Sequence, residues 1–238
     1  NLNNGKIEKI LIDVKLDKNL NITDYKVSGS VKKINLKIYN NLLVQDVNLN
    51  FISDKNLTLI NSISTNYQGI SISNGSLSIK KNKEIKIEGN FNSQFNLDEI
   101  ETKKLFSKLN TSFLKKNQIT TQGSLLHKFT FKIDENFKLI NYDYKSSGNI
   151  SEIQIILKDV FKNSFIERPI KKIFFSKTNL KINLNSSQNN LLVFDGFYNL
   201  GSLKNKKFKV THDLNKKKPK YLIDFDLSED IFLELINF

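Results

Sequence analysis

Apolar residues recur at every second position along almost the whole chain. This alternation confines the fold to antiparallel strands with one apolar and one wet face. Ile10, Ile12, Val14 and Leu16 share one side, with Leu11, Asp13 and Lys15 on the other. Ile34, Leu36 and Ile38 follow, with Lys33, Asn35 and Lys37 opposite. Val47, Leu49 and Phe51 stand against Asn48 and Asn50. Ile70 and Ile72, Leu77 and Ile79, and Ile85 and Ile87 continue the series. Phe91, Phe129, Phe131, Ile133, Phe174 and Phe194 extend the apolar face, where aromatic rings pack.

Turn signals separate these runs every ~8–12 residues, as in an all-β meander. Ser73-Asn74-Gly75-Ser76 reads as a hairpin, because Asn-Gly accepts the positive φ of a primed turn. Lys80-Lys81-Asn82-Lys83 reads as another turn. Gly29, Gly148 and Gly196 fall inside strand patterns and mark bulges or bends.

The second half of the chain repeats the first. Ile12-Asp13-Val14-Lys15-Leu16-Asp17-Lys18-Asn19-Leu20 returns as Phe129-Thr130-Phe131-Lys132-Ile133-Asp134-Glu135-Asn136-Phe137. Tyr25-Lys26-Val27-Ser28-Gly29 returns as Tyr144-Lys145-Ser146-Ser147-Gly148. Phe95-Asn96-Leu97-Asp98-Glu99 is answered by Phe225-Asp226-Leu227-Ser228-Glu229. The fixed order implies two β-repeats, 1–117 and 118–238, and tandem units extend a surface more often than they build a single catalytic site. No Pro/Gly/Ser-rich linker lies near Asn110 to Gln118, so one continuous sheet is expected.

One segment departs from the alternation. From Leu97 to Leu109 apolar residues take helical spacing, with carboxylates first and lysines later, an order that suits the helix dipole. A helix is expected over about 97–110, with Asn96 as its N-cap. Ser228 to Leu235 reads as the truncated start of a matching helix, giving one short amphipathic helix per repeat. Lys158 to Arg168 is either a third helix or a long loop, ended by Pro169.

About fourteen strand segments and one full helix raise a problem of cover. A helix is ~10–12 Å across and strands lie ~4.8 Å apart, so one helix shields roughly two strands. The rest of the apolar face must close on itself as a sandwich or barrel, line a trough, or pair with another chain.

Composition narrows the partners. The formal net charge is +13, carried by Lys apart from Arg168. Abundant Lys, Asn and Ile point to an AT-rich genome and a solvated lysine surface. Nucleic acid is not expected, since base readout and bidentate phosphate contacts favour Arg. Anionic lipid headgroups or lipopolysaccharide suit point-charge lysines better. The chain has no Cys, which excludes disulfides and thiolate metal sites and is compatible with the periplasm. It has no Met, no charged-then-apolar leader and no apolar run near ~20 residues, so the expectation is an excised or processed segment whose membrane anchor lies outside it.

Catalytic signals are sparse. His127 and His212 fit no metal-ligand spacing and read as structural or exposed residues. Asp98, Glu99 and Glu101 are explained by the helix start. Asp143 and Asp195 are generic candidates for the paired carboxylates of a glycosidase. The chain has no G-x-S-x-G, no phosphate loop and no H-E-x-x-H, so no enzyme, cofactor or metal is expected.

Gly69-Ile70-Ser71-Ile72-Ser73-Asn74-Gly75-Ser76-Leu77-Ser78-Ile79, followed by Ile85-Lys86-Ile87-Glu88-Gly89-Asn90-Phe91, resembles the paired strands of the AsmA-like envelope proteins, in particular the YhdP/TamB type. The resemblance implies a mainly β protein, a long antiparallel meander curled into a trough (a β-taco). It also implies a periplasmic, inner-membrane-anchored conduit that carries phospholipid toward the outer membrane, with other envelope proteins as partners. The groove lining it implies is Ile10, Ile12, Val14, Leu16, Ile34, Leu36, Ile38, Val47, Leu49, Phe51, Ile70, Ile72, Leu77, Ile79, Ile85, Ile87, Phe91, Phe129, Phe131 and Ile133. Two other readings stay open from the residues: a closed β-sandwich adhesion or structural module, and an enzyme with carboxylates, Tyr and Lys on a concave polar face.

Overall fold

The computed structural model describes residues 2–3, 5–38, 42–105, 113, 116–162, 169–187, 190–201, 204–214 and 220–226. The described chain is almost wholly β. Its strands are β1 (Leu2–Asn3), β2 (Lys6–Leu16), β3 (Ile22–Ile38), β4 (Leu42–Asp54), β5 (Leu57–Tyr67), β6 (Ile70–Lys81) and β7 (Ile85–Leu97), then β8 (Gln118–Ile133), β9 (Leu139–Phe161), β10 (Ile170–Asn185), β11 (Leu191–Asn199), β12 (Lys206–Asp213) and β13 (Lys220–Phe225). Among the described residues one short helix is delimited, α1 (Glu99–Leu105), which follows β7. The strands form one antiparallel open sheet in the order β1-β3-β4-β5-β6-β7-β8-β9-β10-β11-β12-β13, with β2 also paired to β3.

By contact the chain divides into two compact units. The first holds Asn1–Gln94, Leu125–Ser146 and Asn183–Asn189. The second holds Phe95–Ser124, Ser147–Ile182 and Asn190–Phe238.

In the first unit, strand register explains how an imperfect alternation still builds one apolar face. Val31 pairs with Leu49, Ile34 with Val47 and Leu36 with Val44, so each strand slips by one residue inside the ladder. Likewise Ile60 pairs with Leu77, Ile63 with Gly75 and Thr65 with Ile72. Lys33, Asp46, Ser62 and Asn74 sit at these slips with φ of 52°, 53°, 55° and 52°. Each is a β-bulge, which inserts one residue and returns the next apolar side chain to the same face. Neighbouring amides support two of the bulges. The Lys33 N–H donates to Asn48 Oδ1 at 3.1 Å, and the Asp46 N–H donates to Asn35 Oδ1 at 3.2 Å. A buried cluster of Ile34, Val44 and Val47 forms beneath, flanked by Val31, Leu36 and Leu49.

These bulges correct one expectation. Asn74-Gly75 is not a hairpin turn; both residues lie within β6. The turn between β5 and β6 is Gln68-Gly69, with φ of 47° and 79°, as a primed two-residue turn requires. Gly75 has a different task. A Cβ there would lie 2.7 Å from the Cβ of Ile63, so the two strands approach too closely for a side chain. Ile70–Ile72 and Leu77–Ile79, which read as separate strands, are thus one strand interrupted by a bulge.

The duplication reappears as geometry at two turns of the first unit. Asp17 Oδ1 accepts the N–H groups of Asn19 and Asn21 at 2.8 and 2.9 Å. Asp134 Oδ1 accepts those of Asn136 and Lys138 at 2.9 and 2.8 Å. The fourth residue of each turn, Leu20 or Phe137, is left-handed with φ of 63° or 60°.

In the second unit, α1 starts at a capping box centred on Asp98 rather than on Asn96. The Glu101 N–H donates to Asp98 Oδ1 at 2.8 Å, and the Asp98 N–H donates to Glu101 Oε2 at 3.2 Å. Asn96 remains in β7. Residues 106–110 and 228–235 lie outside the described residues, as does the Arg168 end of the possible third helix. The other end of that segment, Lys158–Phe161, is strand and completes β9. The aromatic core of this unit joins Phe175, Phe194, Phe208 and Tyr198, with Phe208 5.1 Å from both Phe175 and Phe194. Phe175, not Phe174, is the β10 ring that meets Phe194.

Candidate functional site

The apolar face of the first unit is the largest shared feature of the residues singled out in the sequence. Ile10, Ile12 and Val14 lie opposite Gly29, Val27 and Tyr25. Gly29 and Val31 in turn face Phe51 and Leu49. Phe51 lies opposite Ile60, and Ile60 opposite Leu77. Thr58 faces Ile79, Tyr67 faces Ile70, and Thr65 faces Ile72. Directly opposed residues share a face, so β2 to β6 present one apolar surface. Leu16 ends β2 opposite Ile22 after a register shift. Ile38 lies opposite Leu42, and its side chain lies outside the described residues. Phe91, Phe129 and Phe131 adjoin through ring contacts at 6.5 and 5.2 Å. Ile85, Ile87 and Ile133 are half-buried in β7 and β8.

Cover along this face is uneven. Ile34 and Val47 are 7% and 4% exposed, whereas Ile10, Ile12 and Val14 in β2 are 45%, 63% and 45% exposed. Other described members of the face, such as Leu36, Phe51, Ile72 and Phe131, are half-buried.

Within this face sits a polar network that sequence spacing did not reveal. His127 Nε2 lies 2.8 Å from Ser93 Oγ, and its Nδ1 lies 2.8 Å from the Tyr144 hydroxyl. The imidazole stacks on Phe91 at 4.4 Å with an 18° interplanar angle. Burial holds the His127 pKa below that of a free imidazole and pushes the Tyr144 phenol up. A serine beside an imidazole is the arrangement of a nucleophile and its base. Here a phenol rather than a carboxylate orients the ring, and both Ser93 and His127 are buried. The network therefore satisfies polar groups inside an aromatic wall. Ser93 and Tyr144 carried no signal because they come from strands remote in sequence. His212 stacks on Tyr221 at 4.0 Å in the second unit. Among the described residues no cluster of three His, Cys, Asp or Glu side chains could hold a metal.

The wet face carries a groove in each unit. In the first, about 820 Å³ is lined by Lys86, Lys128, Lys132 and Lys145 with Glu88 and Asp143. Lys86 pairs with Glu88 at 2.8 Å, and Lys145 with Asp143 at 3.5 Å. In the second, about 480 Å³ is lined by Lys177, Lys207 and Lys209 with Asp195, Asp224 and Asp226. Asp195 lies opposite Lys209, and Lys209 opposite Asp224, so charges of opposite sign alternate across three strands. Asp143 and Asp195, the two generic carboxylates, thus each line a groove amid lysines.

No protein-family model, curated protein or solved structure matches this chain.

Proposed function

We propose that this chain is a segment of an AsmA-like lipid conduit, in which the apolar face lines a trough for phospholipid acyl chains. The observation that carries this reading is the exposed run of Ile10, Ile12 and Val14, which continues the face of the buried Ile34–Val44–Val47 cluster without cover of its own. Soluble proteins rarely leave such a surface bare. At ~25 cal/mol per Å², a few hundred Å² of contact would hold an acyl chain with several kcal/mol and no polar specificity pocket. The lysine-rich wet face would meet solvent or anionic headgroups. In this reading the protein works in the periplasm and is tethered to the inner membrane by a part of the protein beyond this segment. Among the described residues no helix is long and apolar enough to cross a membrane.

Lipid extraction and native mass spectrometry of the purified chain test the proposal. Phospholipid should co-purify with the wild type. Ile12→Asp should lose it while the melting temperature holds, because Ile12 is 63% exposed and contributes little to the core. Ile72→Asp and Ile87→Asp should lose it as well, with some loss of stability, since both side chains are half-buried. A wild-type protein free of lipid, or an Ile12→Asp variant with undiminished lipid, would overturn it.

A further inference from the structure

The wet-face grooves of the two units differ in how their charges balance. In the second unit three lysines, Lys177, Lys207 and Lys209, meet three aspartates, Asp195, Asp224 and Asp226, and the formal charge cancels. In the first unit four lysines, Lys86, Lys128, Lys132 and Lys145, meet only two carboxylates, Glu88 and Asp143. Lys86 and Lys145 take those two carboxylates, and Lys80 adds a second cation to Glu88 at 3.9 Å. Among the described residues no carboxylate lies within ion-pair reach of Lys128 or Lys132. Hydroxyl and amide side chains fill the space between the charges: Ser76, Ser78 and Thr130 with Asn61 and Asn90.

We propose that the first unit's groove binds an acidic polysaccharide. Lys128 and Lys132 lie four residues apart on β8, so they share its wet side roughly 13 Å apart. That spacing suits a chain of anionic groups better than a single one. Lysine presents a point charge on a flexible stem, which follows repeated charges without fixing their geometry. The hydroxyls and amides, with Glu88 and Asp143, supply donors and acceptors for sugar hydroxyls. Single-stranded nucleic acid fits less well, because its bases stack on exposed rings. The one aromatic residue in the lining, Phe129, packs its ring with Phe91 and Phe131 on the apolar face. This inference stands apart from the lipid reading, since acyl chains would occupy the opposite side of the sheet.

Isothermal titration calorimetry of the purified chain with a heparin octasaccharide, whose sugars carry sulfate and carboxylate, tests the proposal. Binding should saturate, and its logarithm should fall linearly with that of the salt concentration. Lys128→Gln and Lys132→Gln should each weaken it about fivefold and lower the salt slope by about one. Lys128→Arg should keep the wild-type affinity. Lys209→Gln, which removes the same charge from the balanced groove of the second unit, should leave binding unchanged. A chain that does not bind the octasaccharide at low salt overturns the proposal. So does Lys209→Gln that weakens binding as much as Lys128→Gln, which would show attraction to net charge alone. Tighter binding of a single-stranded oligothymidylate of the same charge would assign the groove to nucleic acid instead.

Discussion

His127 Nε2 and Ser93 Oγ lie 2.8 Å apart inside an aromatic wall, and burial holds the His127 pKa below that of a free imidazole. In the unfolded chain His127 regains a pKa near 6.5. Between the depressed folded value and about 6.5 the unfolded state binds more protons, so stability rises with pH there. The contribution is complete above about pH 6.5 and is lost as pH falls toward the folded value. Denaturation curves of the wild type and His127→Gln between about pH 5 and 8 should differ in slope only below about 6.5. His127→Ala should cost about 2–3 kcal/mol, because it leaves the buried Ser93 hydroxyl and the Tyr144 phenol without this partner.

Gly75 faces Ile63 with no room for a side chain. Gly75→Ala should destabilise by about 1–3 kcal/mol through overpacking. The double variant Gly75→Ala/Ile63→Ala should recover part of that loss, so a thermodynamic cycle should give a coupling above about 0.5 kcal/mol. Additive costs would show that the bulge, not the contact, demands glycine.

Leu20 and Phe137 combine a left-handed backbone with side chains 76% and 79% exposed. A left-handed conformation costs an L-residue about 1–2 kcal/mol, and neither side chain recovers that by burial. Leu20→Gly and Phe137→Gly should each raise stability by about 0.5–1 kcal/mol, measured by urea denaturation. Equal effects at the two turns would match their shared hydrogen bonding.

Asp98 caps α1 through the Glu101 N–H. Asp98→Ala should cost about 1 kcal/mol and speed hydrogen exchange at that amide, whereas Asn96→Ala should leave the exchange unchanged.

Much of the sheet was legible in the chain. The run from Ile10 to Val14, the triplet Ile34, Leu36 and Ile38, and the series Val47, Leu49 and Phe51 each alternate with polar residues, and period-two alternation has one geometric meaning. The bulges were legible only in part. Val44 and Val47, and Ile60 and Ile63, are apolar pairs three residues apart within strands, a spacing that strict alternation forbids and a bulge restores. Asn74-Gly75 misled because the same positive φ serves a turn and a bulge, and sequence alone does not separate them.

What the residues determined unaided was local: strand character, the helix that follows Asp98, and the duplication of a turn written as Asp-x-Asn-apolar. These follow from steric and hydrogen-bonding preferences that act within a few residues. Only the tertiary structure decided which strands became neighbours and where Phe91, Ser93, His127 and Tyr144 met. Those outcomes depend on pairing between segments far apart in the chain, and any one apolar strand face is chemically able to accept many partners.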